Sequence, residues 1–138
     1  NQVEWAKKLT IYAAGCAAQK FMDQLRDKQY IAEYIADLAI ETYGMETAVQ
    51  RAIQLRKQFG DKARLAESIV KLFVNEAYPE MLVRARRLLL AVAEGHQDDY
   101  GKYAKALARF EYFNPIEVTA LRDEIAQAVI DREGYRIV

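Results

Sequence analysis

Apolar residues return at intervals of three and four along nearly the whole chain, the period of a helix with one buried face. Alternation with a period of two, the mark of a half-buried strand, is almost missing, so the pattern predicts helix throughout. The first helix is expected over residues 3–25, with Trp5, Leu9, Tyr12 and Cys16 stepping along one face. A second is expected over residues 29–59, where Ile31, Ile35, Leu38, Thr42, Met45, Val49, Ala52 and Arg56 keep a heptad rhythm. Ile40, Tyr43 and Leu55 lie off that stripe. Gly44 falls close to Ile40 and Ala48 on a second face, flat and only weakly polar. Something should cover that face, either a neighbouring helix of the same bundle or a separate domain or subunit.

Punctuation sets the remaining elements. Gly60 is a helix stop and Asp61 an N-cap for a third helix through Leu65, Ile69, Leu72, Phe73 and Ala77. Pro79 predicts a kink, or a new start, before a stretch over residues 81–94, which Gly95 ends. Residues 94–101 form the most polar connection, followed by a shorter helix over residues 99–110. Asn114-Pro115-Ile116-Glu117 combines an N-cap, proline at the first helical position and Glu at the third. The last helix should then run to Glu133 with Val118, Leu121, Ile125 and Ala128 inward and Gly134 as its stop. There is no internal repeat, low-complexity tract or long linker. The expectation is one all-α domain over residues 1–138: an antiparallel up-and-down bundle of four main helices, with a shorter helix before the last.

Composition narrows the function. Lys and Arg together number 20, as do Asp and Glu, so no overall field steers the chain toward nucleic acid or an anionic surface. No nucleic-acid partner is expected. Cys16 is the lone cysteine and cannot form an internal disulfide, which fits a reducing, intracellular and cytoplasmic setting. No run approaches the ~20 apolar residues of a membrane-spanning helix. The chain begins at Asn1 rather than Met, as a piece processed or excised from something longer would.

Candidate chemistry is sparse. His96 sits beside Gln97 and Asp98 and reads as a solvated loop histidine, with an acid-base role as the alternative. Cys16 lies among alanines, where a thiol acts as a small hydrophobe rather than a nucleophile. Ala13, Ala14, Gly15, Cys16, Ala17 and Ala18 form a smooth stretch suited to dense packing in the bundle or to contact with another domain. Glu33, Asp37 and Glu41 recur every four residues, but a di-iron site also needs Glu-x-x-His pairs, and Ala93 stands three positions before His96. No metal site is expected, and no Gly-rich phosphate loop is present. Arg84, Arg86 and Arg87 suit a solvated face with salt bridges, or a contact with a larger protein. Tyr100, Tyr103, Phe110, Tyr112 and Phe113 suit a core that seals one end of the bundle.

Residues 36–48, Ala-Asp-Leu-Ala-Ile-Glu-Thr-Tyr-Gly-Met-Glu-Thr-Ala, resemble the signature helix in the C-terminal extension of the very-long-chain type of acyl-CoA dehydrogenase. That flavoenzyme of fatty-acid β-oxidation typically shows Ala-Ile-Glu-x-Tyr-x-Met-Glu-[Ser/Thr]-Ala there. Gly15-Cys16-Ala17-Ala18-Gln19-Lys20-Phe21 is similar to the family's first helix, and Lys71-Leu72-Phe73-Val74-Asn75-Glu76 with Ala77 to its third. Leu121-Arg122-Asp123-Glu124-Ile125-Ala126, with the late Tyr135, is similar to its closing helix; Pro79 departs from the usual uninterrupted third. The resemblance implies a non-catalytic C-terminal domain that docks on its own upstream dehydrogenase core and stabilises the dimer with its mate. FAD and acyl-CoA would belong to the parent core, and no catalytic, cofactor or metal residue is carried over. Some members associate with a membrane through a nearby segment, which leaves that association open for the parent. The docking candidates are Ile40, Tyr43, Gly44 and Ala48, and Gly44→Leu is expected to spare the isolated bundle but weaken docking. The alternative is a free-standing helical adaptor that binds a partner protein through the second face of the helix between Ile31 and Phe59. An independent enzyme would need a pocket of convergent polar groups, for which the sequence offers no trio.

Overall fold

The computed structural model describes residues 2–111 and 117–134, and their regular structure is all helix. Helix α1 spans Gln2–Phe21, α2 Gln29–Phe59, α3 Arg64–Val92, α4 Gln97–Phe110 and α5 Val118–Asp131. Turns of 3-10 helix at Met22–Asp27 and Gly60–Ala63 join the first three. The all-α expectation holds. The chain divides into two compact units, Asn1–Tyr43 with Ala77–Phe113 and Gly44–Glu76 with Asn114–Val138, so α2 and α3 each give a part to both.

In the first unit, α1 buries Val3, Ala6, Leu9, Ala13, Ala17 and Phe21. Of the expected stripe only Leu9 is fully covered, while Trp5, Tyr12 and Cys16 are half-buried. Small side chains face inward because they let a neighbouring helix come close, and the bulky ones are left to the flanks. Two contacts orient α1 against α2. Thr10 Oγ1 lies 3.0 Å from Thr42 Oγ1, and the Lys28 ammonium sits 4.9 Å from the Phe21 ring centroid. The end of α1 therefore meets the start of α2, and the pair is antiparallel. Each threonine hydroxyl also reaches the carbonyl one turn back, Ala6 and Leu38, at 3.0 and 2.8 Å. A hydroxyl has one proton, so one threonine donates to its own helix and the other across the gap.

The later part of α3 completes this core with Ala77, Tyr78, Met81, Leu82, Ala85, Leu88, Leu89 and Val92, and α4 adds Leu107. Tyr78, fully buried, donates its hydroxyl to the Phe110 carbonyl at 2.6 Å. The Phe110 ring meets Trp5 edge-on at 5.9 Å and stacks on Tyr12 at 5.8 Å. Phe110 thus seals one side of this unit as expected, Tyr100 and Tyr103 are half-buried, and Tyr112 and Phe113 lie outside the described residues.

In the second unit, Met45, Ala52, Leu55, Ala63, Leu65 and Ala66 are buried. Leu55, expected off the core stripe, packs with Ala63 and Ala66. The 3-10 turn after Gly60 brings Ala63 back to that side. Helix α5 has no fully buried residue, and Val118, Leu121, Ile125 and Ala128 are half-covered. Glu124 ties it to α3 through Arg64 at 3.2 Å and the Ser68 hydroxyl at 3.4 Å, and Arg122 pairs with Glu76.

Several expected boundaries move. Helix α1 ends at Phe21 rather than Leu25 because Met22 takes a left-handed φ of 45°, and the chain goes on as 3-10 turn. Gly60, at φ 61°, does stop α2, but Asp61 is no N-cap: α3 starts at Arg64, and the Asp61 carboxylate lies 3.4 Å from Arg56. Pro79 neither ends nor restarts α3. That helix stops at Val92, short of Glu94, and α4 begins at Gln97 rather than Asp99. Asn114, Pro115 and Ile116 lie outside the described residues. Glu117 is the N-cap of α5 rather than its third residue, its carboxylate accepting from the Thr119 and Ala120 amides at 2.8 and 3.1 Å. Those bonds hold its carboxyl below the usual range, so its contribution is present at neutral pH and lost as acid protonates it.

Tyr78→Phe keeps the ring and removes the hydroxyl, leaving the Phe110 carbonyl without that donor. The variant should lose about 1 kcal/mol in urea unfolding. Unchanged stability would show that water replaces the bond.

Candidate functional site

The four docking candidates separate according to their angle around α2. Ile40 and Tyr43, in the first unit, are exposed by 67 and 71%. Gly44 and Ala48, in the second, are half-buried. A Cβ built at Gly44 would lie 3.8 Å from Phe73 Cζ, an ordinary contact, so there is room for alanine, and a longer chain would be directed at the Phe73 ring. Gly44→Leu is therefore a test of packing against α3 as much as of docking. Sequence reasoning also missed Ile11 of α1, which is 72% exposed. Its signal was present: an isoleucine two residues from both Leu9 and Ala13, and so about 160° from the face they share.

The charged candidates resolve into ion pairs. Glu41 lies 3.6 Å from Arg84 and Glu111 2.8 Å from Arg86, while Glu33, Asp37 and Arg87 are exposed. No group of three potential metal ligands occurs among the described residues. His96 occupies the N-cap position of α4, exposed, with no side-chain cap bond. Cys16 is half-buried beside Tyr12 and Tyr103. Burial pushes its thiol up, with a hydrogen bond from Tyr12 acting the other way. Burial, then Cys16, push Tyr12 up to about 12. Neither group is poised to act as a nucleophile at neutral pH.

An open depression of about 390 Å³ lies in the second unit, lined by Leu72, Ile125, Ala126, Val129 and Ile130 with Arg122 on its rim. It is apolar, and its one cation is paired with Glu76. The described glycines sit inside helices or at helix ends, none in a strand-to-helix turn that could cradle a pyrophosphate. These residues do not fit FAD, and no step of flavin chemistry is assigned to them. No helix among the described residues is long and apolar enough to cross a membrane.

The described residues are all helical in their regular structure, with Ile11, Ile40 and Tyr43 among the exposed large apolar side chains. The family described as acyl-CoA dehydrogenase, C-terminal domain, matches residues 5–101. A Bacillus subtilis protein named "Probable acyl-CoA dehydrogenase" is 32% identical over 136 residues, 98% of this chain and 23% of its own length. The crystal structure of an acyl-CoA dehydrogenase complexed with FAD, from Bacillus anthracis, superposes with a TM-score of 0.90 at 31% identity, again over 98% of this chain and 23% of that one. The chain belongs to the acyl-CoA dehydrogenase C-terminal domain family. It spans about a quarter of the length of these relatives.

Alkylation by iodoacetamide at pH 7.5 should be slower for Cys16 in the folded chain than in urea, since burial disfavours the thiolate. Tyr12 should also make folding sensitive to alkali: its contribution is intact below its ordinary value of 10.0 and is lost as pH rises toward about 12. Equal alkylation rates in the two states would show that the thiol is open.

Proposed function

We propose that this chain is the non-catalytic C-terminal helical domain of an FAD-dependent acyl-CoA dehydrogenase of the very-long-chain type, acting in fatty-acid β-oxidation in the cytoplasm. It docks on the upstream catalytic core and stabilises the dimer, leaving FAD, acyl-CoA and proton abstraction to that core. The observation that carries the reading is the alignment of nearly the whole chain with 23% of a chain solved with FAD. Exposed Ile40 and Tyr43 support docking, because bulky apolar side chains standing together in water mark a surface that gains by being covered. Gly44 and Ala48, half-covered within the second unit, are proposed as docking residues of that unit. The first test is the coding sequence ahead of Asn1: a continuous frame encoding a flavin-binding part supports the reading, and a start codon directly before Asn1 would sink it.

Ile40→Glu combined with Tyr43→Glu should leave unfolding of the 138-residue chain within about 0.5 kcal/mol of wild type, as surface changes do. In the full-length enzyme it should shift the dimer toward monomer in sedimentation experiments. A dimer that holds as before would remove this face from the docking surface.

A further inference from the structure

Helix α5 lies against its unit without giving a residue to the core. None of its 14 residues is buried, whereas α4, of equal length, buries Leu107 and has its last carbonyl, that of Phe110, bonded to the Tyr78 hydroxyl. Leu121, Ile125, Ala128 and Val129 are half-covered. Beside Leu72 the seam between α3 and α5 widens into the apolar depression of about 390 Å³. Apolar stabilisation follows the area taken from water, so this seam is a weak one.

The polar ties do not make up the difference. Glu124 reaches Arg64 and the Ser68 hydroxyl, and Arg122 pairs with Glu76. The four charged side chains of these pairs keep 40 to 78% of their surface in water, where an ion pair contributes little. The buried apolar side chains of the unit, Met45, Ala52, Leu55, Ala63, Leu65 and Ala66, all belong to α2, α3 and the turn between them. A helix of 14 residues is marginal in water by itself, so α5 unwinds once it leaves α3, and docking and helix are lost in one step.

We propose that α5 is a flap: it undocks and unwinds as one unit while the rest of the fold stays formed, freeing the Ser68 hydroxyl from Glu124 and uncovering the Leu72 side of the depression. The open form is a second state of the native chain, reached without crossing to the unfolded one, and it presents an apolar surface on α3 that the closed form covers in part. Opening of this kind is independent of the docking reading for Ile40 and Tyr43, which lie in the first unit.

Native-state hydrogen exchange on the 138-residue chain tests this. Corrected for intrinsic rates, amides of residues 122–131 in α5 should exchange at least about tenfold faster than those of residues 81–92 in α3. Their rates should also climb less steeply with urea, because the opening exposes less surface than global unfolding. Ala126→Leu adds apolar bulk to the depression and should slow the α5 amides about threefold, and Leu121→Ala, which removes a half-covered contact, should speed them about tenfold. Neither change should move residues 81–92 by more than about twofold. One rate and one urea slope for both segments, shifted together by the variants, overturns the flap, since α5 then opens only with the whole fold. Exchange of residues 122–131 at the rate of an unfolded chain overturns it as well, since α5 is then not docked.

Discussion

Close approach of helices through buried alanines governs the first unit. Ala6, Ala13 and Ala17 on α1, with Ala85 and Ala93 near the α3 end, are completely covered. An alanine at such a position lowers the distance between axes, and the core is then filled by the long side chains that interleave with it, Leu9, Ile31, Leu38, Met81 and Leu88. The Thr10–Thr42 bridge belongs to the same geometry, because two short hydroxyl side chains meet only when their backbones are near. Trp5 and Tyr12 are only half-buried. Those rings are pushed to the flank, where Phe110 gathers them and the Tyr78 hydroxyl holds the Phe110 backbone.

The second unit is held differently. Apart from Met45 and Ala52, its buried side chains gather near the turn of the chain through Gly60–Ala63, where Leu55 packs with Ala63 and Ala66, and α5 has no residue wholly covered. The ties from α5 to α3 are a half-exposed Arg64–Glu124 pair, the Arg122–Glu76 pair and the Ser68 hydroxyl. Exposed ion pairs contribute at most about 1 kcal/mol each, so α5 rests mainly on the half-buried contacts of Leu121, Ile125 and Val129. The apolar depression beside Leu72 is the visible result of that incomplete cover.

Helix number and order were legible because periodicity is averaged over many residues. Single-residue events were not. Met22 in a left-handed conformation and a 3-10 turn in place of an Asp61 cap were not marked by any local pattern. The face of α1 was misread for a different reason: the bulky Trp5, Tyr12 and Cys16 were followed along the helix, whereas the buried stripe runs through Val3, Ala6, Leu9, Ala13, Ala17 and Phe21. Leu55 was assigned to the outer face because the heptad rhythm was followed to Arg56, while the core follows the returning chain at Ala63. The family was legible from residues 36–48 and its companion segments, and the match over residues 5–101 agrees with it.

The candidate site shows why resemblance and geometry answer different questions. Residues 39–48 form one sequence signature, yet consecutive positions on a helix point about 100° apart, so the run must divide among several surroundings. Thr42 faces α1, Glu41 reaches Arg84, Met45 is buried, and Gly44 lies beside Phe73. Only Ile40 and Tyr43 are left as large apolar side chains in water. A signature of this kind therefore records a helix used on nearly every side, in which most positions are constrained by their own domain. The exposed positions, Ile40 and Tyr43, are the ones that bear on what lies outside it.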